Sequence, residues 1–101
     1  MKIDFLETKL RVETTREFNK NYKKIMRQGK DIRKLYNVIS KIANGESLEP
    51  CYRNHKSNDD GIYRNCYECH ISPDWLLIYR YEVDKLVLVL ISTGSHSDIF
   101  K

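Results

Sequence analysis

The sequence has no hydrophobic stretch long enough to cross a membrane. Its longest apolar run, at positions 86–91, covers six residues, whereas a membrane-spanning helix needs about 20. The first residues, MKIDFLETKLRVE, interleave charged side chains with single apolar ones, so they lack the apolar core of a signal peptide. We therefore expect a cytoplasmic protein with no membrane association.

Cysteine is also scarce, and its positions limit what it can do. The three cysteines are Cys51, Cys66 and Cys69, and an odd number fits reduced thiols better than a disulfide framework. Residues 66–70, CYECH, match the C-x-x-C-H pattern that attaches a c-type haem. On a strand, however, Cys66 and Cys69 lie on opposite faces, so they cannot both reach one haem or easily bind one metal. A structural zinc site needs about four closely grouped ligands. We therefore expect no cofactor, no metal and two buried cysteines.

The sequence contains no internal repeat and no linker. Its 101 residues predict one small domain that covers residues 1–101. A hydrophobic fraction of 41% and a charged fraction of 32% fit a soluble globular protein rather than a disordered chain. Residues 1–8 form a leader to which the sequence assigns no role.

Charge is distributed unevenly along the chain. Residues 1–45 hold 12 Lys and Arg against 5 Asp and Glu, whereas residues 46–101 hold 6 against 9. This asymmetry indicates that the first half faces an anionic partner, with nucleic acid as the leading candidate. A lysine-rich helix surface that serves solubility would give the same excess.

The first half predicts an amphipathic helix after a short strand at residues 10–13. Thr14-Thr15-Arg16-Glu17 matches a capping box, and Gly29 is a typical helix end. Between them, apolar and basic side chains recur at helical spacing on opposite faces. The apolar face carries Phe18, Tyr22, Ile25 and Met26, and the basic face carries Arg16, Lys20, Lys23 and Arg27.

A second helix is predicted to begin near Asp31, which is an acceptable N-cap, and to end at residues 44–45, Asn-Gly. Its apolar stripe consists of Ile32, Leu35, Tyr36, Ile39, Ile42 and Ala43. The short connection between the two helices favours an antiparallel hairpin. Because both helices are amphipathic, their apolar faces must cover a further layer.

The second half changes to an alternating pattern. Residues 46–61, ESLEPCYRNHKSNDDG, are typical of a loop. Residues 63–71, 75–82 and 86–92 then predict three strands, and their short connections predict an antiparallel meander. The expected fold is therefore α+β: a strand, a helix hairpin and a three-stranded antiparallel meander, with the helices packed on one face of the sheet.

Histidine occurs at three positions only: His55, His70 and His96. In the predicted meander, His70 ends one strand and lies near Asp74 and Trp75, which begin the next. Histidine exchanges protons near neutral pH, and RNA cleavage by internal attack needs a base for the 2′-OH and an acid for the 5′-oxygen. Taken singly, each of these residues also has an ordinary structural explanation: a surface histidine, a turn aspartate or a core tryptophan.

Two stretches in combination carry a resemblance to a known family. They are ECHISPDWLLIY at residues 68–79 and TGSHSDIF at residues 93–100. Together they closely resemble the YafQ branch of the RelE/ParE superfamily of type II toxins, and the similarity extends from about residue 10 to residue 100. The resemblance implies a RelE-like fold related to microbial RNases and a ribosome-dependent mRNA endoribonuclease, or mRNA interferase.

The resemblance also assigns residues. It places the family's catalytic groups at His55, His70, Asp74 and His96, and its base-holding aromatic residues at Trp75 and Phe100. His55 is matched less closely, because the loop that follows it is about two residues longer than the family's and lacks a leucine. The lysine-rich helix surface, defined by Arg16, Lys20, Lys23 and Arg27, would then bind ribosomal RNA.

The sequence departs from the family at two positions. Ser92 and Tyr67 stand where the family commonly has arginine, and neither can copy the bidentate donor fork of a guanidinium. Arg64 or Arg80 is a candidate substitute for binding phosphate.

These features leave two leading functions. The first is a toxin that cleaves mRNA on the ribosome without a metal and is inhibited by an antitoxin, expected to be of the ribbon–helix–helix type. The alternative is a catalytically weakened binding module that pairs with the antitoxin and takes part in operator-DNA autoregulation through that complex. A gyrase poison of the ParE type is a third and more distant reading, since that branch is not expected to carry these histidines.

Overall fold

A five-stranded sheet in the order β1-β5-β4-β3-β2 organises the protein. The computed structural model describes residues 8–57 and 61–100. The strands are β1 (Arg11–Thr14), β2 (His55–Lys56), β3 (Tyr67–Ser72), β4 (Trp75–Glu82) and β5 (Val87–Gly94). The helices are α1 (Arg16–Arg27), α2 (Ile32–Ala43) and α3 (His96–Ile99), with 3₁₀ turns at Pro50–Tyr52 and Val83–Lys85. The predicted α+β architecture is confirmed.

Both long helices begin at polar caps and end at glycines, although α1 is capped by Thr15 rather than by the Thr14 that the predicted capping box with Glu17 implies. The Thr15 side chain accepts a hydrogen bond from the backbone N–H of Phe18, and the Asp31 side chain accepts one from Arg33. Such caps satisfy backbone donors that the first turn leaves free. Gly29 and Gly45 follow the helix ends with φ of 75°, a left-handed conformation that glycine adopts without strain.

The core lies between the two helices and one face of the sheet. Phe18, Leu35 and Ile39 are fully buried there against Leu77 and Leu88, so α1 and α2 form the outer layer that amphipathic helices require.

The buried face of each helix differs at its margin from the predicted apolar stripe. Met26 is 51% exposed and Tyr36 is 44% exposed, whereas Val38, which the prediction omitted, is buried. Whether a residue at the margin of a helical stripe is buried depends on a small rotation of the helix about its axis. The spacing of apolar residues does not determine that rotation.

Three features of the sheet go beyond the prediction. β1 pairs in parallel with β5, so the N-terminal strand lies beside the C-terminal one. The predicted loop contains a 3₁₀ turn and β2, which pairs with Tyr67 and Glu68 of β3. The first meander strand begins at Tyr67 rather than at residue 63, because residues 61–65 form a turn. Residues 1–7 of the predicted leader and residues 58–60 of the predicted loop lie outside the described residues.

The cysteines adopt the predicted arrangement. Cys66 and Cys69 are buried, and they pack in separate apolar clusters on opposite sides of the sheet. Burial raises the pKa of the Cys69 thiol to about 12, with a smaller contribution from the charge of Glu68. Cys51 is exposed, and none of the three cysteines forms a disulfide. Within the part of the chain described, no helix is long and apolar enough to cross a membrane.

Candidate functional site

The candidate site lies on the sheet face opposite α1 and α2, which we call the site face. Strand register places His55 opposite Glu68, Glu68 opposite Ile78, and Ile78 opposite Ser92. Directly paired residues point to the same face of a sheet, so these four side chains form a row across it. His55 therefore lies on the same face of the sheet as residues of the central strands.

A second row contains the strand-end histidine. His70 pairs with Leu76, and Leu76 pairs with Gly94. Since His70 follows Glu68 by two residues, it shares the site face, and its position is diagonal to His55 at about 7 Å. His70 and Gly94 are two strand spacings apart, a distance of about 10 Å. His96 follows Gly94 by two residues and is the first residue of α3. The three histidines therefore surround one area of the sheet.

Hydrogen bonds fix the ring of His55. Its Nε2 lies 2.8 Å from Oε1 of Glu68, and its Nδ1 lies 2.6 Å from the carbonyl oxygen of Arg53. Both partners are acceptors while Glu68 is ionised, and only an imidazolium can donate from both ring nitrogens at once. The geometry therefore suits His55 to supply positive charge more than to accept a proton.

The C-terminal helix α3 holds His96 at its first position. Oγ of Ser95 accepts a hydrogen bond from the backbone N–H of Asp98 at 3.1 Å, which caps the helix. The Asp98 carboxylate also accepts one from Nζ of Lys24 on α1, at 2.9 Å. Hydrogen bonds from Lys24 and Ser95 hold the pKa of Asp98 below its ordinary value. Hydrogen bonds therefore hold α3 at its N-cap and at Asp98. His96 is exposed to solvent.

Aromatic contacts fold the C-terminal segment over the site face. The Phe100 ring lies 4.8 Å from the His96 ring and 5.6 Å, edge to face, from the Tyr63 ring. Phe100 also joins a small apolar cluster with Ile78 and Cys66. The C-terminal segment therefore returns to the sheet, and Phe100 is half-buried beside His96, a predicted catalytic residue.

Trp75 has a different position from the one expected of a base-stacking residue. It is 2% exposed and belongs to the main core, so its ring faces have no room for a base in this structure. Its Nε1 donates to Oγ1 of Thr93 at 2.9 Å, and Oγ1 of Thr93 donates to the carbonyl oxygen of Leu76 at 2.7 Å. Trp75 therefore links the beginning of β4 to the end of β5. Asp74, one residue earlier, is exposed in the turn near His70.

The two positions that depart from the family pattern lie on different faces. Tyr67 stacks on Tyr79 on the helix side of the sheet, with ring centroids 5.7 Å apart. Ser92 lies on the site face, is 1% exposed, and its Oγ is 3.3 Å from the Tyr63 hydroxyl. On the site face, the departure from the family pattern is therefore Ser92, which lacks the positive charge of an arginine.

Arg80 is the better placed of the two candidate substitutes. By strand alternation Arg80 shares the site face with Ile78, and its guanidinium contacts Glu82 at 3.3 Å. Arg64 is exposed in the turn before β3.

The basic residues of α1 are solvent-exposed as predicted. Arg16, Lys20, Lys23 and Arg27 all lie on the outer side of the helix. Lys20 and Arg27 also line a cleft of about 180 Å³ whose other wall contains Gly94 and Asp98. The basic side of α1 is therefore continuous with the segment that carries the C-terminal histidine.

Sequence reasoning missed Glu68, Asp98, Lys24 and Thr93. Two of them left a readable signal. Glu68 alternates with His70 on one strand, and Ser95 with Asp98 matches the spacing of a helix N-cap. The Lys24 and Thr93 contacts depend on tertiary structure. Among the described residues, no group of three or more His, Cys, Asp and Glu side chains is arranged to hold a metal ion.

Comparison with known proteins identifies the family. The model of the YafQ family, described as bacterial toxins of type II toxin–antitoxin systems, matches residues 10–101. This chain belongs to the YafQ toxin family. The mRNA interferase toxin YafQ of Escherichia coli strain K12 is 30% identical over 90 residues, which are 88% of this chain and 94% of that protein.

Solved structures of related toxins have the same fold. A metal-bound toxin from Helicobacter pylori is 35% identical, with a TM-score of 0.83 and coverage of 90% of this chain and 99% of that one. A chain of the E. coli DinJ–YafQ toxin–antitoxin complex is 26% identical, with a TM-score of 0.80 and coverage of 92% and 99%. The predicted YafQ family and RelE-like fold are confirmed.

Proposed function

We propose that this YafQ-family toxin is an endoribonuclease that cleaves mRNA on the ribosome by histidine acid–base chemistry. The observation that carries the proposal is the placement of His55, His70 and His96 around one area of the site face. The E. coli relative is named as an mRNA interferase, which favours cleavage over the binding-module alternative.

The reaction requires one proton to be removed and one to be donated. A base takes the proton of the ribose 2′-OH, whose oxygen attacks the adjacent phosphorus. The bond from phosphorus to the 5′-oxygen breaks, and an acid protonates that oxygen as it leaves. We assign these roles to His70 and His96, because they lie at opposite ends of the row in which His70, Leu76 and Gly94 are paired, with His96 two residues beyond Gly94. Side chains that span about 10 Å can reach the two oxygens on either side of one phosphorus.

Positive charge near the phosphate stabilises the negative charge that develops on it. The His55 ring, held between Glu68 and the Arg53 carbonyl, is suited to this role. Arg80 is the second contributor that we propose, once its contact with Glu82 opens toward the RNA. Asp74 is proposed to orient His70 or to take up a proton beside it.

These groups supply the acid, the base and the charge without a metal ion. Cleavage is therefore expected to persist when transition metals are chelated by phenanthroline while Mg²⁺ is retained for the ribosome.

The proposed partners follow from charge and from the relatives. The exposed basic side of α1 is proposed to contact ribosomal RNA, so ribosome binding should weaken steeply with salt. The E. coli relative was solved with the antitoxin DinJ, and we propose a ribbon–helix–helix antitoxin as the partner of this chain. Operator DNA would be contacted through that complex.

The proposal is tested by inducing the chain in bacteria without an antitoxin and mapping new mRNA 5′ ends. In-frame cuts are expected with the wild type and are expected to vanish with His96→Ala. Ser97→Ala, an exposed neighbour on α3, is the matched control and should cut normally. Growth arrest without cuts would contradict the proposal and indicate another target, and soluble protein with neither arrest nor cuts would favour the binding module.

A further inference from the structure

A pocket of about 640 Å³ lies at the outer edge of β3, beside the site face. β2 pairs with β3 at Tyr67 and Glu68 only, so in the described structure no strand covers the edge of β3 from His70 onward. α2 and the 3₁₀ turn at Pro50–Tyr52 form the other walls. The lining residues are Lys34, Asn37, Cys51, Tyr52, Arg53, His70, Ile71, Ser72 and Pro73. Its volume lies within the range of about 300–1,000 Å³ that is typical of ligand sites.

The charge of this pocket is of one sign. Lys34 and Arg53 contribute cations, and no carboxylate appears among the described residues that line it. Neither cation takes part in an ion pair with another described residue, whereas the neighbouring Arg33 is paired with Asp31 at 3.2 Å. Arg33, and to a smaller extent Lys34, lowers the pKa of the Asp31 carboxyl. Because that carboxylate is already paired with Arg33, the cations of Lys34 and Arg53 at the wall of the pocket attract an anionic ligand.

The pocket is connected to the site through the backbone of Arg53. This residue has a φ of 48°, a left-handed conformation that turns the chain after the 3₁₀ turn. Its carbonyl oxygen accepts the hydrogen bond from His55, while Oδ1 of the next residue, Asn54, accepts one from the hydroxyl of the buried Tyr79 at 2.5 Å. The Arg53 backbone is thus held between the core and the site. His70 lines the pocket and belongs to the site face as well.

We infer that this pocket is a nucleotide subsite, which binds the phosphate and base of the RNA nucleotide next to the cleaved bond. Arg53 and Lys34 hold the phosphate, and Tyr52, which is half-buried, offers a ring for stacking with the base. An RNA strand that crosses the site face beyond His70 meets this edge of the sheet. The subsite rests on the proposed function.

The test is a binding measurement that does not depend on cleavage. The probe is a short fluorescent single-stranded RNA with 2′-O-methyl riboses, which cannot undergo internal attack. The variant is Lys34→Ala with Arg53→Asn, because asparagine tolerates a left-handed backbone. The control is Arg33→Ala with Lys41→Ala, which removes the same charge from α2 outside the pocket.

The pocket variant should bind the probe at least about tenfold more weakly, since two charge-assisted contacts are lost. The slope of log affinity against log salt should fall by about one unit. The control variant should change affinity by less than about twofold. In NMR titrations of the wild type, the probe should shift amide signals of residues 51–53 and 70–73. Equal affinities for the pocket and control variants, or inorganic phosphate binding as tightly as the RNA, would overturn the subsite.

Cleavage assays separate this inference from the proposed function. If the pocket variant cleaves ribosome-bound mRNA and binds the probe as the wild type does, the subsite is wrong and the nuclease stands. If the wild type shifts the pocket signals with RNA yet cleaves nothing on the ribosome, the subsite stands and the nuclease is wrong.

Discussion

Thr93 is expected to be a main support of the site, and Thr93→Val tests this. Its hydroxyl accepts from Nε1 of Trp75 and donates to the carbonyl oxygen of Leu76, and the residue is 1% exposed. Valine has nearly the same shape but no hydroxyl, so it leaves the indole N–H without an acceptor in a buried position. Because Gly94 and α3 follow directly, the loss also loosens the support of the C-terminal histidine.

The expected cost follows from that one unsatisfied donor. Leaving a buried polar group without a partner costs about 1–3 kcal/mol. For a domain of this size, about 2 kcal/mol corresponds to a fall in melting temperature of about 10 °C. Trp75→Phe removes the same N–H from the other side, so Thr93→Val should cost about 1 kcal/mol less in that background.

Urea denaturation of the four proteins in this cycle measures the free energy of unfolding. Thr14→Val, at an exposed position of β1, is the control and should change that free energy by no more than about 0.5 kcal/mol. A cost for Thr93→Val as small as that of the control, or full additivity with Trp75→Phe, would show that the Trp75–Thr93 hydrogen bond does not stabilise the protein. If Trp75→Phe lowered the affinity for RNA without changing the free energy of unfolding, the indole would have a direct role in holding a base.

Three further outcomes are expected. Asp98→Asn should lower the free energy of unfolding by less than about 1 kcal/mol, because the Lys24 contact is partly exposed. Since the folded pKa of Asp98 lies below its ordinary value, this contribution is full above about pH 4 and is lost as the pH falls through the lowered pKa. Denaturation curves of both proteins should therefore converge in acid, and a constant difference would contradict the assignment. Iodoacetamide at pH 8 should modify Cys51 rapidly and leave Cys69 intact, because the pKa of Cys69 is about 12. Labelling of Cys69 in the native protein, detected by mass spectrometry, would contradict the burial of its thiol. Arg80→Ala should reduce cleavage of ribosome-bound mRNA by about tenfold or more and Arg80→Lys by less, while equal activity of all three proteins would exclude a role for the guanidinium.

The sequence was sufficient to predict those structural elements that depend mainly on neighbouring residues. The Thr15 and Asp31 caps, the glycine helix ends and the alternation of β4 each depend on residues within one turn or one strand. Strand alternation also correctly predicted that Cys66 and Cys69 lie on opposite faces of the sheet.

Long-range contacts account for what the sequence did not reveal. β2 is two residues long and exists because it pairs with β3, so no periodic pattern marks it. The burial of Trp75 depends on a partner 18 positions later, Thr93, and the pocket at the edge of β3 depends on where β2 stops. The candidate site residues His55, His70 and His96 were predicted from residue type and motif, whereas Glu68, which contacts His55, and Lys24, which contacts α3 through Asp98, were not predicted.

The most direct test of the account uses purified ribosomes with an mRNA codon in the A site. Single-turnover cleavage and ribosome binding are measured for the wild type, His96→Ala and the Ser97→Ala control. Acid–base catalysis by His96 predicts that His96→Ala lowers the cleavage rate by about 10²–10⁴-fold and leaves ribosome affinity within about twofold of the wild type. Equal losses of cleavage and of binding would contradict a catalytic role for His96 and, with it, histidine acid–base catalysis by this toxin.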